Sequence, residues 1–142
     1  MAQRRKTGEP IELLFSEVWQ VPRFSGLHSG YRPNLDSYHT DDPHELTVIV
    51  ELPGVDPRSI EISLSERLLV IAGARARAKG DGRVYQQIEI EYGGFERAVR
   101  LAEDVDPELA QARYEQGMLT ISLPITGRPP AGARHTIRVE RA

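Results

Sequence analysis

The chain of 142 residues carries 39% hydrophobic and 27% charged residues, a composition that indicates one ordinary soluble domain with one core. No stretch approaches the ~18 apolar residues needed to span a bilayer, and the basic start lacks the apolar run of a signal peptide, which predicts a cytoplasmic protein. The absence of cysteine excludes disulfides, thiolate nucleophiles and cysteine-ligated zinc.

Charge is divided unevenly along the chain. Residues 1–31 hold four basic and three acidic side chains, residues 32–125 hold ten and seventeen, and residues 126–142 hold four and one. Because the acidic middle offers no basic face, nucleic acid is a poor candidate partner. We expect three parts with these boundaries: an N-terminal arm, a β domain and a C-terminal extension.

The N-terminal arm carries an amphipathic pattern. Pro10 suits the first turn of a helix and Pro22 would end it. Between them, apolar residues at helical spacing predict one apolar stripe on a partly helical or disordered arm. Two interpretations stay open: the stripe packs on the domain of its own chain, or it binds other copies and client proteins. The stripe consists of Ile11, Leu14, Phe15, Val18 and Trp19.

A cluster of His39, Asp41, Asp42 and His44 could indicate a metal or acid–base site. Its spacing fits no ligand motif such as H-E-x-x-H, and Asp41-Asp42-Pro43 is typical of a turn before a strand. No G-x-S-x-G turn of a serine hydrolase and no phosphate-binding loop occurs in the chain. We therefore predict no enzyme activity, no catalytic residue, no metal and no cofactor.

From residue 46 onward the hydrophobic period is two, which predicts β-strands. Weak alternation recurs within a long loop that contains Gly80-Asp81-Gly82, at Tyr85 to Glu91. At least seven short strands without a helical period indicate an all-β, immunoglobulin-like antiparallel sandwich. The other strands are predicted around Leu46–Leu52, Ile60–Leu64, Leu69–Ile71, Phe95–Leu101, Ala112–Tyr114 and Leu119–Leu123.

Two positions in the body indicate special backbone or charge roles. Gly117 lies between two strands and is expected to have a positive φ, so that Leu119 can begin the returning strand. Arg100 lies in a strand whose other face is apolar, so its guanidinium is expected to be exposed. It would pair with a carboxylate across an interface or form an ordinary surface ion pair.

The extension ends in an alternating apolar motif. Ile137 and Val139 flank Arg138 and follow a stretch rich in glycine and proline. Such a segment can add as a strand to a sheet edge, where backbone hydrogen bonds give affinity and two pockets fix the register. A last edge strand of the same domain or a frayed tail would show the same pattern.

Three motifs in the body resemble those of the small heat-shock proteins, which contain an α-crystallin domain. The segment Ala112-Arg113-Tyr114-Glu115-Gln116-Gly117-Met118-Leu119 is similar to the family signature A-x-x-x-n-G-x-L. The segment Glu51-Leu52-Pro53-Gly54-Val55 is similar to its L-P-G-V turn. Phe95-Glu96-Arg97-Ala98-Val99-Arg100-Leu101, followed by Glu103-Asp104-Val105, is similar to its F-x-R-x-x-R-L-x-E-x-V segment.

The resemblance extends from about Arg32 to Ile125, and the tail resembles the family's last motif. The chain departs at Ala102, where the family usually carries proline, and in having I-x-V where I-x-I is more common. The second departure should weaken one pocket contact by ~1 kcal/mol or less.

The resemblance, to the bacterial and plant type, also implies an assembly. A strand inside the long loop would pair with the partner's first strand, near Arg32 to Asp36, and form a homodimer. The tail would dock in the groove of a neighbouring dimer and build a modest higher oligomer. The implied dimer-interface residues are Leu35, Tyr85, Gln87, Ile88 and Arg100, and the implied groove residues are Ile60, Ile62, Leu64, Ala112 and Tyr114.

The function that this resemblance implies is ATP-independent chaperone activity. An apolar arm and groove, masked in the assembly and exposed when tail contacts loosen, would hold the hydrophobic segments of unfolding proteins. Heat favours this exposure because dissociation is favoured by entropy. The alternative is a β-sandwich module that assists one larger ATP-driven chaperone, although such modules usually lack the extra loop strand and the I-x-V tail.

Overall fold

The computed structural model of the chain describes residues 30–127 and 133–142. The predicted helical stripe of the arm, with Leu14, Phe15, Val18 and Trp19, lies outside the described residues. Among the described residues, no helix is both long and apolar enough to cross a membrane.

The described chain folds into two β-sheets, which confirms the predicted immunoglobulin-like sandwich. One sheet has the order β1-β2-β7-β6-β9 and the other the order β5-β4-β3-β8, and a short 3₁₀ turn at Pro57–Ser59 leads into β3. All pairings are antiparallel except the parallel pair β6 and β9. The strands are β1 (Leu35–Asp41), β2 (His44–Glu51), β3 (Glu61–Ser65), β4 (Leu68–Arg75), β5 (Gly93–Arg100), β6 (Gln111–Glu115), β7 (Met118–Pro124), β8 (His135–Ile137) and β9 (Val139–Arg141).

The core lies between the two sheets and is filled by every second residue of the strands. The predicted inward pair Leu69 and Ile71 is fully buried, as the period of two requires. Tyr31, just ahead of β1, packs edge-on against Phe95 with ring centroids 5.8 Å apart. Further fully buried side chains are Val48, Val50, Leu52, Leu64, Leu119, Ile121 and Leu123.

The turn between β6 and β7 depends on Gly117. Its φ is +78°, which confirms the predicted left-handed conformation, and a Cβ built there would lie 3.0 Å from the Cα of Pro53. The Gly117 carbonyl accepts a hydrogen bond from the Leu52 amide at 2.7 Å. The turn therefore joins the β6–β7 hairpin to the end of β2, and a β-branched residue at 117 would lack both the backbone conformation and the space.

Two predicted strand positions differ from the structure. The first strand begins at Leu35, so most of the predicted range Arg32 to Asp36 precedes it. The segment Tyr85 to Glu91 forms no strand within the chain, although its residues alternate. Alternation alone does not make a strand, because a strand also needs a neighbouring edge to accept its backbone hydrogen bonds.

Candidate functional site

The candidate site is a groove between the two sheets, along the neighbouring edges of β3 and β6. In the strand order, only the tail strands lie beyond these two: β8 completes one sheet next to β3, and β9 completes the other next to β6. Without the tail, both β3 and β6 would present unpaired backbone N–H and C=O groups.

The first half of the tail pairs antiparallel with β3. Ile137 lies opposite Ile62 and retains only 5% of its surface exposed, which places it in the hydrophobic core. The Arg134 guanidinium donates a hydrogen bond to the Ser63 hydroxyl at 3.2 Å. Ile137 is therefore held by both backbone pairing and core packing.

The second half of the tail crosses to the other sheet and pairs in parallel with β6. Val139 lies opposite Ala112, is half-buried and packs against the core. At the end of this strand the Ala142 amide donates to the Tyr114 carbonyl at 3.2 Å. Ile137 in β8 therefore belongs to one sheet and Val139 in β9 to the other. Arg138, between the two motif residues, is exposed.

Four of the five predicted groove residues lie opposite the tail in the strand register: Ile62 and Leu64 in β3, and Ala112 and Tyr114 in β6. Ile60, Ile62, Leu64 and Ala112 are all buried. Tyr114 is half-buried and its hydroxyl donates to the Leu52 carbonyl at 2.7 Å, and burial raises the pKa of this phenol. In the single chain of the structure the occupant of the groove is the chain's own tail, whereas the resemblance implies the tail of a neighbour.

His135 belongs to the tail and is half-buried. It lies opposite Leu64 in β8, and its buried Nε2 atom has no hydrogen-bond partner among the described residues. Sequence inspection could not show this position, because only the pairing of β8 with β3 brings the imidazole next to the core.

A second region of interest is the loop from residue 76 to residue 92. It displays exposed apolar side chains: Val84 is 90% exposed, Ile88 61% and Ile90 60%. Exposed apolar side chains that alternate with polar ones are typical of a segment that pairs with the edge of another sheet.

The predicted dimer-interface residues belong to three different elements. Tyr85, Gln87 and Ile88 are exposed in this loop. Leu35 begins β1, an outer strand of its sheet, and packs partly on the core. Arg100 ends β5, an outer strand of the other sheet, and is exposed.

An alternating series of tyrosines and arginines anchors this loop and was not predicted. The Arg75 guanidinium lies 3.7 Å from the ring centroid of Tyr31 and 5.6 Å from that of Tyr92. The Arg77 guanidinium lies 4.4 Å from the ring centroid of Tyr92 and 5.3 Å from that of Tyr85. We call these five residues the Tyr–Arg ladder. Their separation in sequence gives no signal by which a pattern search could find them.

The other charged groups with a shifted pKa lie at or near the surface of the domain. Arg67 and Asp104 form an ion pair at 3.0 Å, and the hydrogen bond from Arg67 lowers the pKa of that carboxyl. Burial raises the pKa of Glu96 to about 6. No group of three or more potential metal ligands occurs among the described residues, so the histidine–aspartate cluster near the β1–β2 turn gathers no such set.

Comparison with known proteins gives a consistent result. Residues 38–140 match the model of the Hsp20/alpha crystallin family. Small heat shock protein C2 of Rickettsia felis is 30% identical over 111 residues, which cover 78% of this chain and 71% of that protein. The Alpha-crystallin of Mycobacterium bovis is 33% identical over 132 residues, which cover 87% of this chain and 86% of that protein.

Solved structures show the same fold. A small heat-shock protein from Xylella fastidiosa, described as having a distinct high order structure, matches with a TM-score of 0.59 at 26% identity. The match covers 71% of this chain and 92% of that chain.

Proposed function

Because the chain belongs to the Hsp20/alpha-crystallin family, we propose that it is an ATP-independent chaperone, a holdase that binds unfolding proteins and prevents their aggregation during heat or other stress. Membership of this family and the heat-shock relatives support the chaperone role. The observation that carries the holdase proposal is the groove itself, an apolar surface between two strand edges that is covered by a short tail.

The tail contacts are few enough to be broken reversibly. Each of the two tail strands spans three residues, and of the two motif side chains only Ile137 is fully buried. Burying one large aliphatic side chain contributes about 1.5–3 kcal/mol, part of which is offset by the entropy of ordering the tail. Release of the tail would uncover Ile62, Leu64 and Ala112 together with two unpaired strand edges.

An exposed groove of this kind fits the chemistry of non-native proteins. Unfolding chains expose apolar side chains and unpaired backbone groups at the same time. An extended client segment can occupy the place of β8 or β9, since its backbone can pair with β3 or β6 as the tail does. No nucleotide is needed, because the affinity changes with tail occupancy alone.

The same tail contacts can be made by a tail from another copy. Every register pair of β8 and β9 involves only the groove strands and the tail, so the exchange of tails between subunits keeps each contact. We propose that such exchange links homodimers into a higher homo-oligomer. The high order structure described for the Xylella fastidiosa protein supports this assembly.

The dimer is proposed to form through the loop. Residues around Tyr85, Gln87 and Ile88 would add as a strand to β1 of the partner, whose outer edge is unpaired in the described chain. Pairing would cover the exposed Ile88 and Ile90, and Leu35 and Arg100 would lie near the contact. The homodimer is then the building block of the cytoplasmic assembly.

The N-terminal arm is proposed as a further surface for clients or for self-association, through Leu14, Phe15, Val18 and Trp19. Its apolar stripe supports this role. Alanine at Phe15 and Trp19 should weaken client capture or assembly, while the sandwich keeps its stability.

Light scattering from a heat-unfolding client protein tests the proposed function. With an equal concentration of this chain and no ATP, we expect the scattering to be suppressed. An inert protein at the same mass concentration controls for crowding. Unchanged scattering from a well-folded sample would contradict the holdase proposal and favour the partner-specific β-sandwich module.

A further inference from the structure

The Tyr–Arg ladder runs from the edge of the core into the exposed loop. Its inner end is fixed to the body: the Tyr31 hydroxyl donates to the Glu51 carbonyl at 2.9 Å, and the Arg75 guanidinium donates to the Pro53 carbonyl at 3.2 Å. The Arg75 guanidinium also donates to the Glu91 carbonyl, at 2.9 Å and 2.6 Å. The C-terminal end of the loop is therefore attached to β4 and to the turn after β2.

The outer end of the ladder joins the two ends of one segment. Arg77 contacts both Tyr85 and Tyr92, which immediately precede and follow residues 86–91. One guanidinium therefore closes a short loop by binding the aromatic rings at its two ends. Hydrogen bonds from Arg83 and Arg77 lower the pKa of Tyr85, which agrees with two cations at this phenol.

Residues 86–90, between Tyr85 and the Glu91 carbonyl that Arg75 holds, are all exposed. Ile88 and Ile90 are more than half exposed, and residues 86–90 belong to no strand of the described chain. A segment of this kind binds a partner strand more tightly when its ends are already held in place, because less conformational entropy is lost on binding.

We propose that Arg77, clasped between Tyr85 and Tyr92, is a positioning residue that holds residues 86–91 ready to pair with β1 of a second copy of this chain. The inference rests on the dimer of the proposed function. Arg77 acts through the two rings and does not touch the partner. Arg75 connects the same ladder to the body of the domain.

The expected effect follows from the strength of the contacts. Two cation–π contacts at exposed positions correspond to about a 5- to 30-fold change in an equilibrium constant. Arg77→Ala should therefore raise the dissociation constant of the dimer by about this factor. The matched control is Lys79→Ala, which removes one positive charge from an exposed position of the same loop and should change the constant less than about twofold.

A double-mutant cycle separates the clasp from a direct contact of Tyr85 with the partner. We would measure the dimer dissociation constant of the full chain by native mass spectrometry on dilution, for Arg77→Ala, Tyr85→Leu and the double variant. If the clasp is real, the double variant is hardly weaker than either single variant. Tyr85→Phe keeps the ring and removes only the hydrogen bonds of the phenol, so it should weaken the dimer less than Tyr85→Leu does. Equal unfolding midpoints in urea would show that the sandwich is intact in all of them.

Each other outcome contradicts the inference in a different way. An Arg77→Ala dimer as tight as the Lys79→Ala dimer would remove the role of Arg77 and leave the proposed dimer standing. A weakened Tyr85→Leu dimer beside an unchanged Arg77→Ala dimer would assign Tyr85 to the partner contact instead. A wild-type chain that forms no dimer would overturn both the proposed dimer and the clasp.

Discussion

Two short segments of this chain share one pattern and differ in their surroundings. Ile88-Glu89-Ile90 in the loop and Ile137-Arg138-Val139 in the tail both alternate apolar and charged residues. Ile88 and Ile90 are about 60% exposed, whereas Ile137 is 5% exposed. The difference lies in the edges within reach: the tail finds β3 and β6 of its own chain, and the loop finds no strand partner among the described residues.

The comparison indicates two ways of covering strand edges. The tail covers the edges of its own sandwich, and in the proposed assembly an equivalent tail of another copy takes its place. The loop segment leaves its apolar side chains exposed in the single chain, and the proposed dimer would cover them with the edge of a second copy. In the proposed account the first contact controls client access, and the second builds the dimer that carries the grooves.

Ile137→Ala should have the largest effect, because it removes the buried side chain that distinguishes the tail from the loop segment. Replacing a buried isoleucine by alanine in a core lowers the free energy of unfolding by about 2–5 kcal/mol. Here the loss cannot exceed the free energy with which the tail docks in its groove. We expect the tail to be mainly undocked, with hydrogen exchange at the Ile62 and Leu64 amides faster by about 30-fold or more. Thr136→Ala, at the exposed neighbouring position, is the control and should leave the exchange unchanged. Equal exchange in both variants would contradict the docked tail.

Ile88→Ala with Ile90→Ala should show the opposite behaviour. Because both side chains are largely exposed, the free energy of unfolding of the monomer should change by no more than about 0.5 kcal/mol. The dissociation constant of the dimer, measured by sedimentation, should rise by about tenfold or more. Loss of monomer stability with an unchanged dimer would show that this segment packs within its own chain.

Val139→Ala compares the second residue of the tail motif with Ile137. Val139 is half-buried, so the change should weaken docking by about 0.5–1 kcal/mol, less than Ile137→Ala. Client suppression should then begin at a lower temperature than in the wild type. Arg138→Ala, between the two motif residues, is the matched control. Assembly and temperature response that stay unchanged in Val139→Ala would count against a role for the tail in activation.

The smallest effect is expected at Glu96, which lies outside both segments. Burial raises the pKa of Glu96 from 4.5 to about 6, so the folded state disfavours the charged form. Stability therefore falls as the pH rises from about 4.5 to 6 and stays lower above that. At pH 7.5, Glu96→Gln should raise the free energy of unfolding by about 1 kcal/mol or less, because solvent screens a half-buried group. In urea titrations the gain should disappear below pH 4.5. A constant difference across this range would show another cause.

Much of the fold could be predicted from the sequence, because the period of two marks each core strand directly. Leu69 and Ile71 are inward as expected, and Gly117 has the positive φ that its place between two strands requires. These features are local, since they depend on neighbours within a few residues. The motif signature then identified the family to which the sandwich belongs.

The features that were missed or wrongly predicted depend on contacts between distant residues. The strand expected at Tyr85 to Glu91 is not formed in the single chain, because a strand requires an edge that the sequence pattern does not supply. The Tyr–Arg ladder joins Tyr31 to Tyr92, which lie far apart in the sequence. The buried Nε2 of His135 likewise follows from the pairing of β8 with β3. None of these leaves a periodic signal.

The central claim, that the tail must leave its groove for clients to bind, can be tested by locking the tail. Ser63 and Thr136 are directly opposite in β3 and β8, at a separation that suits a disulfide, and the chain has no other cysteine. We would measure light scattering from a heat-unfolding client with the Ser63→Cys, Thr136→Cys chain, oxidised and then reduced. The account predicts that the cross-link within one chain strongly reduces suppression, leaving at most the contribution of the N-terminal arm, and that reduction restores it. Full suppression by the oxidised chain would contradict it.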